Sequence, residues 1–235
     1  MKKILLLLLG FTLTFSFAQD KKALKLFDQY AKAVGGKEKM AKVKSMLVKS
    51  TSKQMGQEVK SETYVSRKGD SYLKMNMMGM ELVVYAVQDG KGFVMNQQMG
   101  YDDLDEEKVK SMVEKSKNMF NEAENYEKKD LKYLGSKEKD GVKYEVAEYK
   151  DEKGRLLDYY FNPNTHLLDI IVVNMPDGKT VETYFKDYKD VDGIKMPFTT
   201  EIKMDGQLMR EVHTDKVVFN PSEEQIDMKA FEKPE

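Results

Sequence analysis

Hydrophobic positions in this chain recur with different spacings, and each change of spacing marks a different element. At the start, Lys2 and Lys3 precede an unbroken apolar run over residues 4–9, continued by Phe11, Leu13, Phe15 and Phe17. Ser16-Phe17-Ala18 supplies the small residues that flank a signal-peptidase cut, so residues 1–18 read as a cleaved leader and 19–235 as a single domain. Gly10, Thr12, Thr14 and Ser16 punctuate the run, which is too short for a membrane span. The expectation is an exported chain, periplasmic or secreted, that does not span the membrane.

After the leader, Ala23, Phe27, Tyr30, Ala31 and Val34 share one face at helical spacing, and Gly35-Gly36 is positioned to end that helix. A short helix or turn over 37–43 follows. From Lys44 the period becomes two: strands are predicted over 45–53, 58–67, 71–78, 81–87 and 92–96, separated by glycine-containing turns. Residues 103–127 interrupt the alternation with a charged helix whose stripe is Val109, Met112, Val113, Ser116, Met119 and Phe120, and whose start carries Asp102, Asp103 and Asp105. Alternation resumes over 129–139, 142–150, 156–161, 167–174, 180–188, 194–204 and 207–219, and in the polar tail Ile226, Met228 and Phe231 are candidates to pin it down. Short connections join antiparallel neighbours. The fold class is therefore mainly β with covering helices (α+β): a single large curved antiparallel sheet of about eleven or twelve strands, which curls rather than staying flat.

Composition narrows the function classes. The 39 Lys and Arg nearly balance the 40 Asp and Glu, and the charges alternate along the chain, so the concentrated basic surface that nucleic acid requires is missing. There is no Cys, which excludes disulfides, thiol nucleophiles and lipid attachment of the bacterial lipoprotein type. The two histidines, His166 and His213, lack metal-ligand spacing, and no nucleophile elbow or HExxH helix is present, so no catalytic residue, cofactor or metal site is assigned.

Four further stretches carry a resemblance. They are 33–39 (Ala-Val-Gly-Gly-Lys-Glu-Lys), 89–93 (Asp-Gly-Lys-Gly-Phe), Tyr159-Tyr160-Phe161-Asn162-Pro163 with Leu167-Leu168, and 185–197 (Phe-Lys-Asp-Tyr-Lys-Asp-Val-Asp-Gly-Ile-Lys-Met-Pro). In this order of elements the chain resembles the LolA/LolB-like superfamily of periplasmic lipoprotein carriers, and most nearly the outer membrane lipoprotein-sorting proteins. The resemblance implies an unclosed half-barrel whose apolar interior holds acyl chains beneath the N-terminal and central helices, with no catalytic residue to transfer.

Methionine supplies the candidate chemistry. Met75, Met77, Met78, Met80, Met95 and Met99 crowd three successive strands and their turns. Flexible thioethers suit an acyl-chain pocket, and they also suit ordinary core filling or a Cu(I) site. Alternation and stripe position select Leu73, Met75, Met77, Val83, Tyr85, Phe93 and Met95 from the sheet, with Met112, Met119 and Phe120 from the helix, as lining residues for a lipid or lipoprotein acyl chain. The alternative is an envelope protein-interaction or sensor module, with a protein partner and no lipid ligand.

Overall fold

The computed structural model describes residues 21–54, 57–77, 79–121, 126, 130–151 and 154–234; the leader lies outside the described residues. Helix α1 covers 21–33, α2 Lys37–Lys42 and α3 Glu106–Asn121. Thirteen strands follow the alternating segments: β1 Ser45–Gln54, β2 Gln57–Ser66, β3 Ser71–Met77, β4 Met80–Gln88, β5 Lys91–Met95, β6 Tyr101–Asp103, β7 Leu131–Lys139, β8 Val142–Lys150, β9 Leu156–Phe161, β10 Leu168–Asn174, β11 Thr180–Val191, β12 Ile194–Met204 and β13 Gln207–Phe219. They form one sheet in the order β6-β5-β4-β3-β2-β1-β13-β12-β11-β10-β9-β8-β7. The sheet does not close, and β6 and β7 are its edges.

The strand count exceeds the sequence expectation because of β6. Its Asp102 and Asp103, read as helix caps, instead pair with Val94 and Phe93 in β5. Asp105 alone caps α3, accepting from the Lys108 backbone N–H at 2.8 Å.

The chain divides into two compact units. One comprises Met1–Val34, Ala123–Phe185 and Ile202–Leu208, and the other Gly35–Glu122, Lys186–Glu201 and Met209–Glu235. In the first, α1 lays the predicted stripe of Ala23, Phe27 and Ala31 on Leu131, Ala147, Tyr159, Phe161 and Leu168. The neighbouring residues in each strand point the other way, and Tyr144, Val146, Tyr160, Ile170, Val172 and Tyr184 form a second cluster there. Both faces are thus apolar, which is why β9 and β10 read as near-continuous hydrophobic runs.

In the second unit, one face gathers Val43, Met46, Val65 and Ile194 around Phe120 of α3. The opposite face gathers Leu47, Tyr72, Ala86 and Phe93 under the C-terminal tail, through Ile226, Ala230 and Phe231. Two of the three tail residues expected to pin it do so, whereas Met228 is exposed.

Helix α3 approaches the sheet closely at one point. Gly69 has φ +106°, and a Cβ there would stand 2.5 Å from Val113 Cγ1. Both the backbone and the space require glycine. Gly69→Ala is expected to lower the unfolding free energy by about 2 kcal/mol and to loosen α3, read as faster amide hydrogen exchange along the helix.

Candidate functional site

The site is built on β1–β5, where the chain alternates apolar and polar residues and the two faces of the sheet acquire different chemistry. Directly paired residues share a face. Leu73 pairs with Tyr85, Met75 with Leu82 and Ser61, and Tyr85 with Val94. Val65, Val48 and Val217, from the Phe120 cluster, belong to the same face by register. Leu73, Met75 and Tyr85 are therefore brought to the α3 side, as selected from the sequence. All three are only half-buried, and burial holds the Tyr85 phenol above its usual range.

Val83, Phe93 and Met95 are not brought there. Between Leu73/Tyr85 and Lys74/Val83 the register shifts, leaving one unpaired residue in β4. This bulge reverses the alternation, so Val83 and Tyr85 lie on opposite faces despite their spacing of two. Val83 and Phe93 join the tail-covered cluster, and Met95 follows Phe93 by pairing with Tyr101, a residue of that cluster. The Met77 side chain lies outside the described residues. On α3, Val109, Ser116 and Phe120 are buried, Met112 is half-buried, and Met119 is 56% exposed. The stripe that meets the sheet is narrower than the one read from the sequence.

The α3 face also changes character along the strands. Toward the β1–β2 and β3–β4 turns it carries Ser50, Ser52, Ser61 and Val59, all buried, with Ser50 and Ser61 hydroxyls 2.8 Å apart.

The reverse face at this end is a charged groove of about 800 Å³ whose walls include Lys49, Thr51, Lys60, Glu62, Lys74 and Glu81. Lys74 stands at its head, 9% exposed, with its Nζ 2.6 Å from both Glu81 and Asp227 and 3.6 Å from Glu62. Burial opposes the ammonium charge, yet the hydrogen bonds to Asp227 and Glu81 outweigh it and hold the Lys74 pKa above its usual range. Tyr72, fully buried, donates to Glu62 at 2.8 Å and accepts from the Asp227 backbone N–H at 3.2 Å. Burial likewise works against the Glu62 carboxylate, and hydrogen bonds from Lys49 and Tyr72 overcome it and keep its pKa low. This network was missed in the sequence, where Lys74 is a lone basic residue between Leu73 and Met75 and its partner Asp227 lies 153 residues away.

The network makes the tail contact acid-sensitive. The hydrogen bond from Lys74 is the main cause holding the Asp227 carboxyl below the usual range. A depressed folded-state pKa stabilises at pH above the unfolded value of about 3.9, and the gain is lost as pH falls through the folded value. The urea midpoint is expected to stay level from pH 7 to 5 through this pair and to drop below about pH 4, with Asp227→Asn removing part of that drop.

Comparison with known proteins adds the class. No protein-family model and no curated protein matches the sequence. Among solved structures, a DUF1329 family protein from Desulfovibrio piger superposes with a TM-score of 0.57 at 12% identity, covering 89% of this chain and 98% of that one. A LolA superfamily protein from Nitrosomonas europaea gives 0.56 at 8% identity, with 89% and 96% covered. A domain classed with outer membrane lipoprotein-sorting proteins, from Vibrio parahaemolyticus, gives 0.50 at 13% identity, with 91% and 97% covered. The chain has the LolA-like fold. Among the described residues, no helix is long and apolar enough to cross a membrane.

Proposed function

We propose that this chain is an exported, non-enzymatic carrier of the bacterial periplasm that holds a hydrophobic ligand, a lipid or lipoprotein acyl chain, on the α3 face of β1–β4. The observation that carries this reading is an apolar surface that α3 covers incompletely. Leu73, Met75, Tyr85 and Met112 remain half-buried beside the closed contact of Phe120, Val65 and Met46. An acyl chain laid along them completes the burial that the helix leaves unfinished, and thioethers adjust to its shape. The LolA-like fold supports the class of ligand, and the mature single domain begins at residue 19 on this account.

The energetics suit reversible loading. Each buried methylene is worth about 0.8 kcal/mol, so ten supply about 8 kcal/mol before ordering costs, which sets affinity near micromolar at best. A carrier that must release its cargo belongs in that range.

Displacement of a fluorescent fatty acid tests the reading. Met75→Asp and Tyr85→Asp are each expected to weaken binding at least tenfold while near-UV circular dichroism stays native. Each places a carboxylate where the chain would lie, a cost of several kcal/mol. Wild-type affinity retained in both folded variants would remove the α3 face as the binding surface.

A further inference from the structure

The first unit contains a cleft that the carrier reading does not use. It lies between α1 and strands β7–β9, has a volume of about 290 Å³, and its polar lining includes Lys22, Lys25, Tyr133, Glu145, Asn162 and His166. Leu26, Phe161 and Pro163 supply an apolar wall. We propose that this cleft binds a small oxyanion, a carboxylate or phosphate, carried on a short apolar body.

The polar groups sort into those already committed and those left available. Glu145 is fully engaged: it accepts from the Tyr133 hydroxyl at one oxygen and from Ser136 at 2.5 Å at the other. Burial works against its charge, but those two hydrogen bonds prevail and keep it a carboxylate. Tyr133 spends its proton on Glu145, and its ring supports the Lys22 ammonium at 5.2 Å from the centroid. Asn162 is also committed, donating to Asp169 at 3.1 Å and accepting from the Asn164 backbone at 3.0 Å, so it shapes the turn and not the ligand.

Three basic side chains remain. Among the described residues, Lys25 and the His166 ring form no hydrogen bond or ion pair to a protein group, and Lys22, seated over the Tyr133 ring, acts on the Glu145 carboxylate only through its field, without a direct ion pair. The two lysines against one carboxylate leave the cleft positive without counting the imidazole, which selects an anion. His166 is held there at a conformational cost: its φ is +58°, the left-handed region in which glycine is at ease, and its backbone N–H donates to the Asn162 backbone carbonyl at 2.8 Å. A turn that glycine would satisfy instead presents an imidazole to the cleft. The volume lies at the lower limit of small-molecule pockets, which sets the ligand well below a lipid in size.

The geometry also supplies a conservative test. His166→Gly removes the ring at a backbone angle that glycine adopts freely, and Lys22→Gln with Lys25→Gln changes two exposed helical residues, so the variants keep the fold. Octanoate, 1-octanol and inorganic phosphate are titrated into the full mature chain, with amide shifts in α1 and β7–β9 reporting the location. Octanoate is expected to bind at those amides, octanol at least tenfold more weakly and phosphate more weakly than octanoate. The double lysine variant is expected to lose at least tenfold in octanoate affinity, and His166→Gly about threefold. Equal binding of octanol, unchanged affinity in both variants, shifts confined to other strands, or no octanoate binding would each overturn the site. Phosphate binding as tightly as octanoate would overturn the apolar half of the assignment and leave a free-oxyanion site.

Discussion

Phe27→Ala is expected to lower the unfolding free energy by about 3–5 kcal/mol, the largest effect of any single truncation considered. Phe27 is 1% exposed and is the shared member of an aromatic cluster. Its ring stacks on Tyr126 at 5.1 Å and meets Tyr159 and Phe161 edge-on at 5.1 and 5.0 Å. Alanine would remove a side chain of α1 that touches all three rings, leaving a void that Tyr126, held by its hydroxyl's hydrogen bond to Asp28, cannot close. Urea unfolding followed by far-ultraviolet circular dichroism measures this. Phe27→Leu, which keeps most of the volume, should recover more than half of the loss. A Phe27→Ala midpoint within error of the parent would mean that α1 contributes little to the first unit.

Lys74→Ala is the second. It leaves Glu62, with a side chain only 16% exposed, facing Asp227 and Glu81 without the ammonium that joins them. Breaking a buried ion pair from one side typically costs about 3–5 kcal/mol. Glu81 and Asp227 are partly in solvent and Lys49 still reaches Glu62 at 2.9 Å, so about 2–3 kcal/mol is expected. The loss should be accompanied by release of the tail, since Lys74 and Tyr72 are what bind Asp227 to the sheet. Limited proteolysis near residues 222–231 should accelerate in step with the fall in urea midpoint. Retention of tail protection in Lys74→Ala would show that Ile226, Ala230 and Phe231 hold it alone.

These two positions also show where the sequence is and is not readable. Phe27 was legible: the stripe of Ala23, Phe27 and Ala31 has helical period, and a helix on a sheet must bury such a stripe. The strands were legible too, because their turns carry glycine beside aspartate, as in Asp140-Gly141 and Asp192-Gly193, where both residues take positive φ. Three features were not. The strand β6 is three residues long, too short for alternation to register, and its aspartates imitate a helix cap. The bulge opposite Leu73 and Lys74 inserts one residue into β4 without any break in composition, so counting by twos placed Val83 with Tyr85. Lys74 has no local signal, since what makes it a buried hub is a partner brought from the far end of the chain. Periodicity therefore sufficed to place Leu73, Met75, Tyr85, Met112 and Phe120, whereas Val83, Phe93 and Met95 depended on register, which only pairing reveals, and Met119 lies off the buried stripe of its helix.

Native mass spectrometry of the mature chain, purified without detergent from the bacterial envelope and followed by solvent extraction, tests the carrier account most directly. The account predicts a fraction of molecules carrying one additional mass, extracted as a lipid or an acylated peptide, and absent from the Met75→Asp variant. A wholly ligand-free mass spectrum, from protein that also takes up no fluorescent fatty acid, would contradict it.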